Sequence, residues 1–312
     1  RDLEHALASP LPPVDVPTWD VLLSASEAVT YLTGLRERRQ PVAFDCETAG
    51  EMWTPEFRVL SVAFSTDGRQ STVLPDAALG QASVREALRL LMEDTAVPKL
   101  GQQIKYDRHA LRGAFGIDTR PLAGDTKAAR RLLESEADAD LDTMSWLVGL
   151  GGMKAESVEA LKQTRMAMRV AFAELPASVL WRRNAGDALA TWRLYRLLEG
   201  RLARQPNLDR TYRRLTLPSI EAFARVEEWG VVVSVPAIRA FQAYLAAGIE
   251  RARTKVMAHP VVARYEKERG AFNPGSPKHL AIVLYDLLGL PVQRETDAGH
   301  RSTDEAALQA SA

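Results

Sequence analysis

Residues 41–50 read PVAFDCETAG, an apolar run that closes on two acids separated by one residue, Asp45 and Glu47. Alternate side chains of a strand share a face. Ala43, Asp45 and Glu47 therefore point one way, and Val42, Phe44 and Cys46 the other. Two carboxylates crowded on one face repel and resist joint ionisation unless a cation lies between them. A hard divalent ion such as Mg²⁺ or Mn²⁺ takes oxygen ligands of this kind. A solvated strand end would show the same spacing, so the pair alone leaves both readings open.

The surrounding chain places this strand in an α/β domain. Residues 24–38, SASEAVTYLTGLRER, carry a Ser cap and helical spacing of Ala28, Tyr31, Leu32 and Leu35. FRVLSVAFS (57–65) and QSTVLP (70–75) read as a hairpin around an Asp-Gly turn. ASVREALRLLMED (82–94) is an amphipathic helix. PKLGQQ (98–103) is a short strand and YDRHALRGAFG (106–116) a helix. DTKAARRLLES and LDTMSWLVGLGG are two more helices, and a long one spans about 177–204. Strands come first and helices dominate later, which predicts a mixed sheet flanked by helices over residues 1–205. Residues 1–20, rich in Pro and Asp, read as an extended lead-in. Residues 206–312 read as an elongated, mostly α-helical segment, with GVVVSVP (230–236) as a short strand or turn.

A length of 312 residues, 46% hydrophobic and 26% charged, suits about two globular domains. The net charge is zero, but 201–312 carries 16 Lys/Arg against 12 Asp/Glu, while 1–200 carries 24 against 28. An acidic first part beside a mildly basic second part fits a metal site next to a phosphate-binding element. The single Cys46 excludes an internal disulfide and a cysteine zinc site. No apolar run approaches the ~18 residues of a membrane span. The sequence starts at Arg1 and stops within a helical pattern, STDEAALQASA, as expected of a piece of a longer chain.

Two further acids stand in distinctive surroundings. Asp107 lies in GQQIKYDRHAL, where a helix begins and an acid is also favoured by the helix dipole. Asp187 lies in NAGDALATWRLY among Ala185, Gly186 and Ala188, small residues that leave room for something to approach. FDCET, GQQIKYDRHAL and NAGDALATWRLY, in that order and at those separations, resemble the three exonuclease motifs of the DEDD superfamily, as found in the 3′–5′ proofreading domain of family A DNA polymerases. The resemblance covers about residues 40–205. Residues 215–238 are similar to the start of that family's polymerase region, and 272–292 and 296–308 to its thumb motifs. The family's palm and fingers would follow, so polymerase activity is not expected of this piece.

The resemblance implies a ribonuclease H-like fold with two divalent metal ions, Mg²⁺ or Mn²⁺, held by Asp45, Glu47, Asp107 and Asp187. It implies hydrolysis of single-stranded or frayed DNA 3′ ends to nucleoside 5′-monophosphates, in replication or repair. Gln102, Gln103 and Tyr106 match positions near the terminal nucleotides, and Met52 falls beside a family apolar wedge. In the second part, Asn273, Ser276 and Lys278 before one helix, and Ser302 and Thr303 before another, are expected phosphate contacts to a primer–template duplex. N-capping explains the same residues. A monomer in the cytoplasm of a bacterial or phage-infected cell, associated with the nucleoid and with replication-accessory proteins, is implied as well.

The third motif departs from the family. The proofreading enzymes place a water-orienting Tyr four residues before the last Asp, and here that residue is Arg183. The sister group's His position is Arg182. Three readings stay open: the metals suffice, a residue such as Trp181 or Tyr195 substitutes, or the domain holds DNA with impaired exonuclease activity. Arg183 is also placed to clamp the scissile phosphate.

Overall fold

The computed structural model describes residues 18–151, 174–296 and 299–310. The lead-in up to residue 17 lies outside these. One sheet is built from β1 (Thr18–Val21), β2 (Val42–Ala49), β3 (Arg58–Ser65), β4 (Gln70–Pro75), β5 (Lys99–Gly101) and β6 (Leu122–Asp125), in the order β1-β4-β3-β2-β5-β6. β2, β3 and β4 are antiparallel neighbours, while β1 joins β4, and β5 joins β2 and β6, in parallel. The expected mixed sheet is present, and β2 lies inside it rather than at an edge.

Both faces of β2–β4 are covered, which explains why these strands are apolar almost throughout. On one face Val42, Phe44, Val62, Phe64 and Leu74 pack with Ala28, Leu32 and Leu35 of α1 (Ala25–Arg38) and with Val84, Leu88, Leu91 and Met92 of α2 (Ala82–Glu93). On the other face Ala63 and Val73 meet Ala185 and Ala188 of the long helix that ends the first half of the chain. Between them run α3 (Lys105–Phe115) and α4 (Thr126–Leu133), followed by that long helix, α5 (Ala177–Ala203).

Two strands were not anticipated. β1 sits inside the predicted lead-in, and β6 reads LAGD after a proline. Each has four residues and takes its conformation from a parallel neighbour, so neither carries the alternation that marks a strand in a sequence.

The chain divides into two compact units, Arg1–Gly230 and Val231–Ala312, so the first extends past the expected boundary at 205. The reason is α6 (Leu217–Trp229). Its Glu228, only 9% exposed, meets Arg108 of α3 at 2.9 Å and Arg112 at 3.1 Å, and Arg108 itself is 2% exposed. Glu227 pairs with Lys105 at 2.5 Å and lies 3.0 Å from His109 Nε2. Just before α6, the Tyr212 hydroxyl accepts from the Asp125 backbone N–H at 2.7 Å. The second unit contains α7 (Val235–Met257), α8 (Pro260–Arg269), a helical turn at Pro277–Ala281 and α9 (Glu305–Ala310) around Val262, Tyr265, Phe272 and Val283. Residues 231–234 form no strand. Among the described residues, no helix is long and apolar enough to cross a membrane.

Removing one partner of a buried ion pair costs about 3–5 kcal/mol, because the other charge stays buried. Asp118, 2.8 Å from Arg108, retains part of the compensation. Glu228→Ala is therefore expected to lower the unfolding free energy of the first unit by about 3 kcal/mol, and Glu228→Gln by less, as read from denaturant midpoints.

Candidate metal centre

β2 and α5 between them build the acidic centre. In the β2–β3 register, Asp45 lies opposite Ala63 and Glu47 opposite Ser61, with a register shift immediately after Glu47. On α5, Arg183 and Asn184 stand four and three residues before Asp187 and so share its helix face. The small residues beside Asp187 now have a function: Ala185 and Ala188, fully buried, let α5 approach the sheet closely. One carboxylate oxygen from each of Asp45, Glu47 and Asp187 lies within 4.8 Å of the others. Hard oxygen donors in this number fit Mg²⁺ or Mn²⁺. The Cys46 thiol is no competitor. Its side chain belongs to the apolar core, and burial followed by the nearby Asp107 carboxylate pushes its pKa well above the ordinary thiol value.

Asp107, from α3, lines the same cleft but is not one of the three acids whose oxygens converge. It is 3% exposed, and its Oδ1 accepts from the backbone N–H of Cys46, between Asp45 and Glu47, at 3.0 Å. Burial, and then the charge of Asp45, raises its pKa well above the usual carboxylate range. A cation at the centre would reverse the Asp45 contribution.

Arg183 turns into the centre. Its Nε donates to Glu47 Oε1 at 2.7 Å and lies 3.9 Å from Asp187 Oδ2. Burial disfavours the charged guanidinium, but Glu47 and Asp187 outweigh it and hold its pKa above the ordinary arginine value. Neither of the suggested substitutes for the missing tyrosine lies here. Trp181 packs against the Ala63–Val73 cluster, and Tyr195 lies against Trp192 and Gly124.

The carboxylates open onto a cleft of about 360 Å³, whose walls include Gln102, Gln103, Tyr106 and Lys127. The loop before α3 folds back tightly. A Cβ on Gly101 would sit 2.7 Å from that of Ile104, and Gln103 adopts φ 56°. The Asp125 carboxylate holds this loop, accepting from the backbone N–H of Gln103 at 3.3 Å, of Ile104 at 3.0 Å and of Ala128 at 2.9 Å. Gln102 Nε2 donates to the Ala139 carbonyl at 2.8 Å, and Lys127 donates to Gln103 Oε1 at 2.6 Å. The Tyr106 hydroxyl lies 2.6 Å from Thr48 Oγ1, and the residue, which lines the cleft, is 40% exposed. Met52 is not brought to the cleft. It packs partly buried against the apolar core, because the chain turns away after β2 at Gly50, where φ is +82° and a Cβ would stand 2.6 Å from the Glu56 carbonyl oxygen.

Sequence reasoning missed Asn184. It is fully buried, donates from Nδ2 to Asp45 Oδ2 at 2.8 Å and to the Asp45 carbonyl at 3.1 Å, and accepts from Ser61 Oγ at 2.7 Å. Its signal was its spacing, three residues before Asp187 on the same helix face. Asp125 was missed too, since the loop it holds, at Gln103 and Ile104, lies more than 20 residues before it.

In the second unit, Lys278, Ser302 and Thr303 line one cavity of about 870 Å³ together with His300 and Arg301. Ser276 and Asn273 do not line it. Ser276 Oγ caps the helical turn by accepting from His279 N–H at 3.4 Å, and Asn273 Oδ1 accepts from Gly275 N–H at 2.9 Å. Arg301 pairs with both oxygens of Asp286, at 2.5 and 3.1 Å.

A family model for the 3′–5′ exonuclease matches residues 22–203. DNA polymerase I of Pseudomonas aeruginosa is 29% identical over 305 residues, covering 93% of this chain and 31% of that one. The DNA polymerase of Escherichia phage T5 is 26% identical over 284 residues, covering 86% and 33%. The chain thus spans about a third of the length of these curated relatives. Among solved structures, the POL domain of Pol1 from M. smegmatis, in complex with DNA primer-template and dNTP, is similar at a TM-score of 0.60. That similarity covers 94% of this chain and 44% of the other at 22% identity, so it speaks for the fold alone. With its mixed sheet and flanking helices, the first unit has the ribonuclease H-like exonuclease fold, and the chain belongs to the 3′–5′ exonuclease family of family A DNA polymerases.

Proposed function

We propose that the chain removes nucleotides, as 5′-monophosphates, from single-stranded or frayed DNA 3′ ends, with divalent metal ions held by Asp45, Glu47, Asp107 and Asp187. The observation that carries this is the convergence of Asp45, Glu47 and Asp187 oxygens within 4.8 Å at the foot of an open cleft. Carboxylates alone would repel a phosphodiester. Divalent ions held there would invert the sign of the site and favour both a hydroxide nucleophile and a departing 3′ oxygen.

The protein's own groups then orient and bind. Asn184 holds Asp45 at two points, and the Cys46 N–H holds Asp107. The exposed Tyr106 ring offers a stacking surface for a terminal base. Gln102 and Gln103, held by Ala139 and Lys127, line the same wall. In the second unit, Lys278, Ser302 and Thr303 are the proposed contacts to duplex phosphates, which would make duplex affinity fall with salt. Work on DNA in replication or repair, as a monomer in a bacterial or phage-infected cell, accords with the relatives being DNA polymerases. The Arg183–Glu47 pair favours a second reading, in which the first unit holds a DNA end and cuts it poorly.

Release of mononucleotides from 3′-labelled single-stranded DNA in Mg²⁺ or Mn²⁺ tests both. Release is expected, and is expected to fall to background in chelator and in the variant carrying both Asp45→Ala and Glu47→Ala. DNA binding with no release by the unmodified chain would reject the nuclease and leave the second reading. Asn184→Ala removes the group that orients Asp45. Its expected cost is about 10–100-fold in metal affinity or turnover, with DNA binding in chelator unchanged; full activity in this variant would show that Asp45 needs no such support.

A further inference from the structure

The converging acids Asp45, Glu47 and Asp187 have a cationic side chain among them, Arg183. Arg183 stands one helical turn before Asp187, with its side chain 14% exposed, and its guanidinium lies between two of the three converging carboxylates, 2.7 Å from Glu47 and 3.9 Å from Asp187. A divalent ion shared by Glu47 and Asp187 would need that same position. A monovalent cation tethered to the helix and a divalent ion from solution cannot occupy it together, because they repel at short range and both draw on the Glu47 carboxylate.

We propose that Arg183 is a built-in competitor for the metal. It occupies the Glu47–Asp187 side of the centre in the metal-free chain and so sets the metal concentration at which the centre loads. The proposal rests on the metal-dependent reading above. Arg183 is in this sense a positioning residue: it keeps Glu47 and Asp187 together without metal and is displaced when metal binds. A loading threshold follows. Without Arg183, Glu47 and Asp187 would lose this cation in chelator, and metal would bind more readily.

Mn²⁺ binding by calorimetry and thermal unfolding, each with and without chelator, test this in the unmodified chain and in Arg183→Gln and Arg183→Lys. Arg183→Gln is expected to bind Mn²⁺ at least about tenfold more tightly. It should unfold at a lower temperature in chelator and gain more from the same excess of Mn²⁺ than the unmodified chain, since a ligand stabilises with the logarithm of its concentration relative to Kd. Arg183→Lys, which restores the charge, is expected to return both readouts towards those of the unmodified chain.

Equal Mn²⁺ affinity in the unmodified chain and Arg183→Gln, with binding abolished by Asp45→Ala, would overturn the competition and leave the metal centre standing. Weaker binding in a folded Arg183→Gln would also overturn it. No Mn²⁺ binding by either chain would remove the metal-dependent reading and this one with it. Should Arg183→Gln not fold, ¹⁵N-arginine spectra of the unmodified chain decide. The Arg183 Nε–H signal, assigned by its loss in Arg183→Lys, is expected to change on adding Mg²⁺ as its bond to Glu47 breaks, and an unchanged signal at saturating Mg²⁺ would overturn the proposal.

Discussion

The close approach of α5 to the sheet is the contact on which the centre depends. Ala185 and Ala188 carry too little bulk to keep the helix away from Ala63 and Val73. At that separation Asn184 can bridge Ser61 and Asp45, and Arg183 and Asp187 are delivered onto the strand that carries Asp45 and Glu47. Larger residues would move three side chains of the acidic centre at once. A site assembled from one strand and one helix therefore has its precision set by apolar packing behind it, where no charge is involved.

Charge of both signs is concentrated on α3. One face of the helix sends Asp107 to the Cys46 N–H, and the next residue, Arg108, points to Glu228 and Asp118. The loop before it is tied down by Asp125 through two backbone N–H groups, and the Asp125 main chain is tied in turn to Tyr212. Apart from Arg108–Asp118, these ties join residues more than 20 apart in sequence, so the position of Asp107 records the packing of much of the first unit.

This distribution explains what the sequence disclosed. Asp45 and Glu47 were legible because a strand's two-residue period shows which side chains share a face, and Asp187 because its motif is local. β2, β3 and β4 were legible as runs of apolar residues. Asn184, Asp125 and the extension to residue 230 were not, since each depends on a partner more than 20 residues away. β1 and β6 were invisible for the same reason: four residues become a strand only when a neighbour supplies the hydrogen bonds. The packing of Met52 against the core was not legible, because position in a motif does not report the turn at Gly50.

The ion pairs of α6 bear on how the protein can be taken apart. A cut at residue 205 looks natural, at the end of the long helix and near the limit of the family match. It would strip Glu227 and Glu228 from the helix that carries Asp107 and deprive buried Arg108 of one counter-ion. The nuclease unit is thus modular only if it keeps α6, and residue 230, where the contacts thin, is the physically sound place to divide the chain.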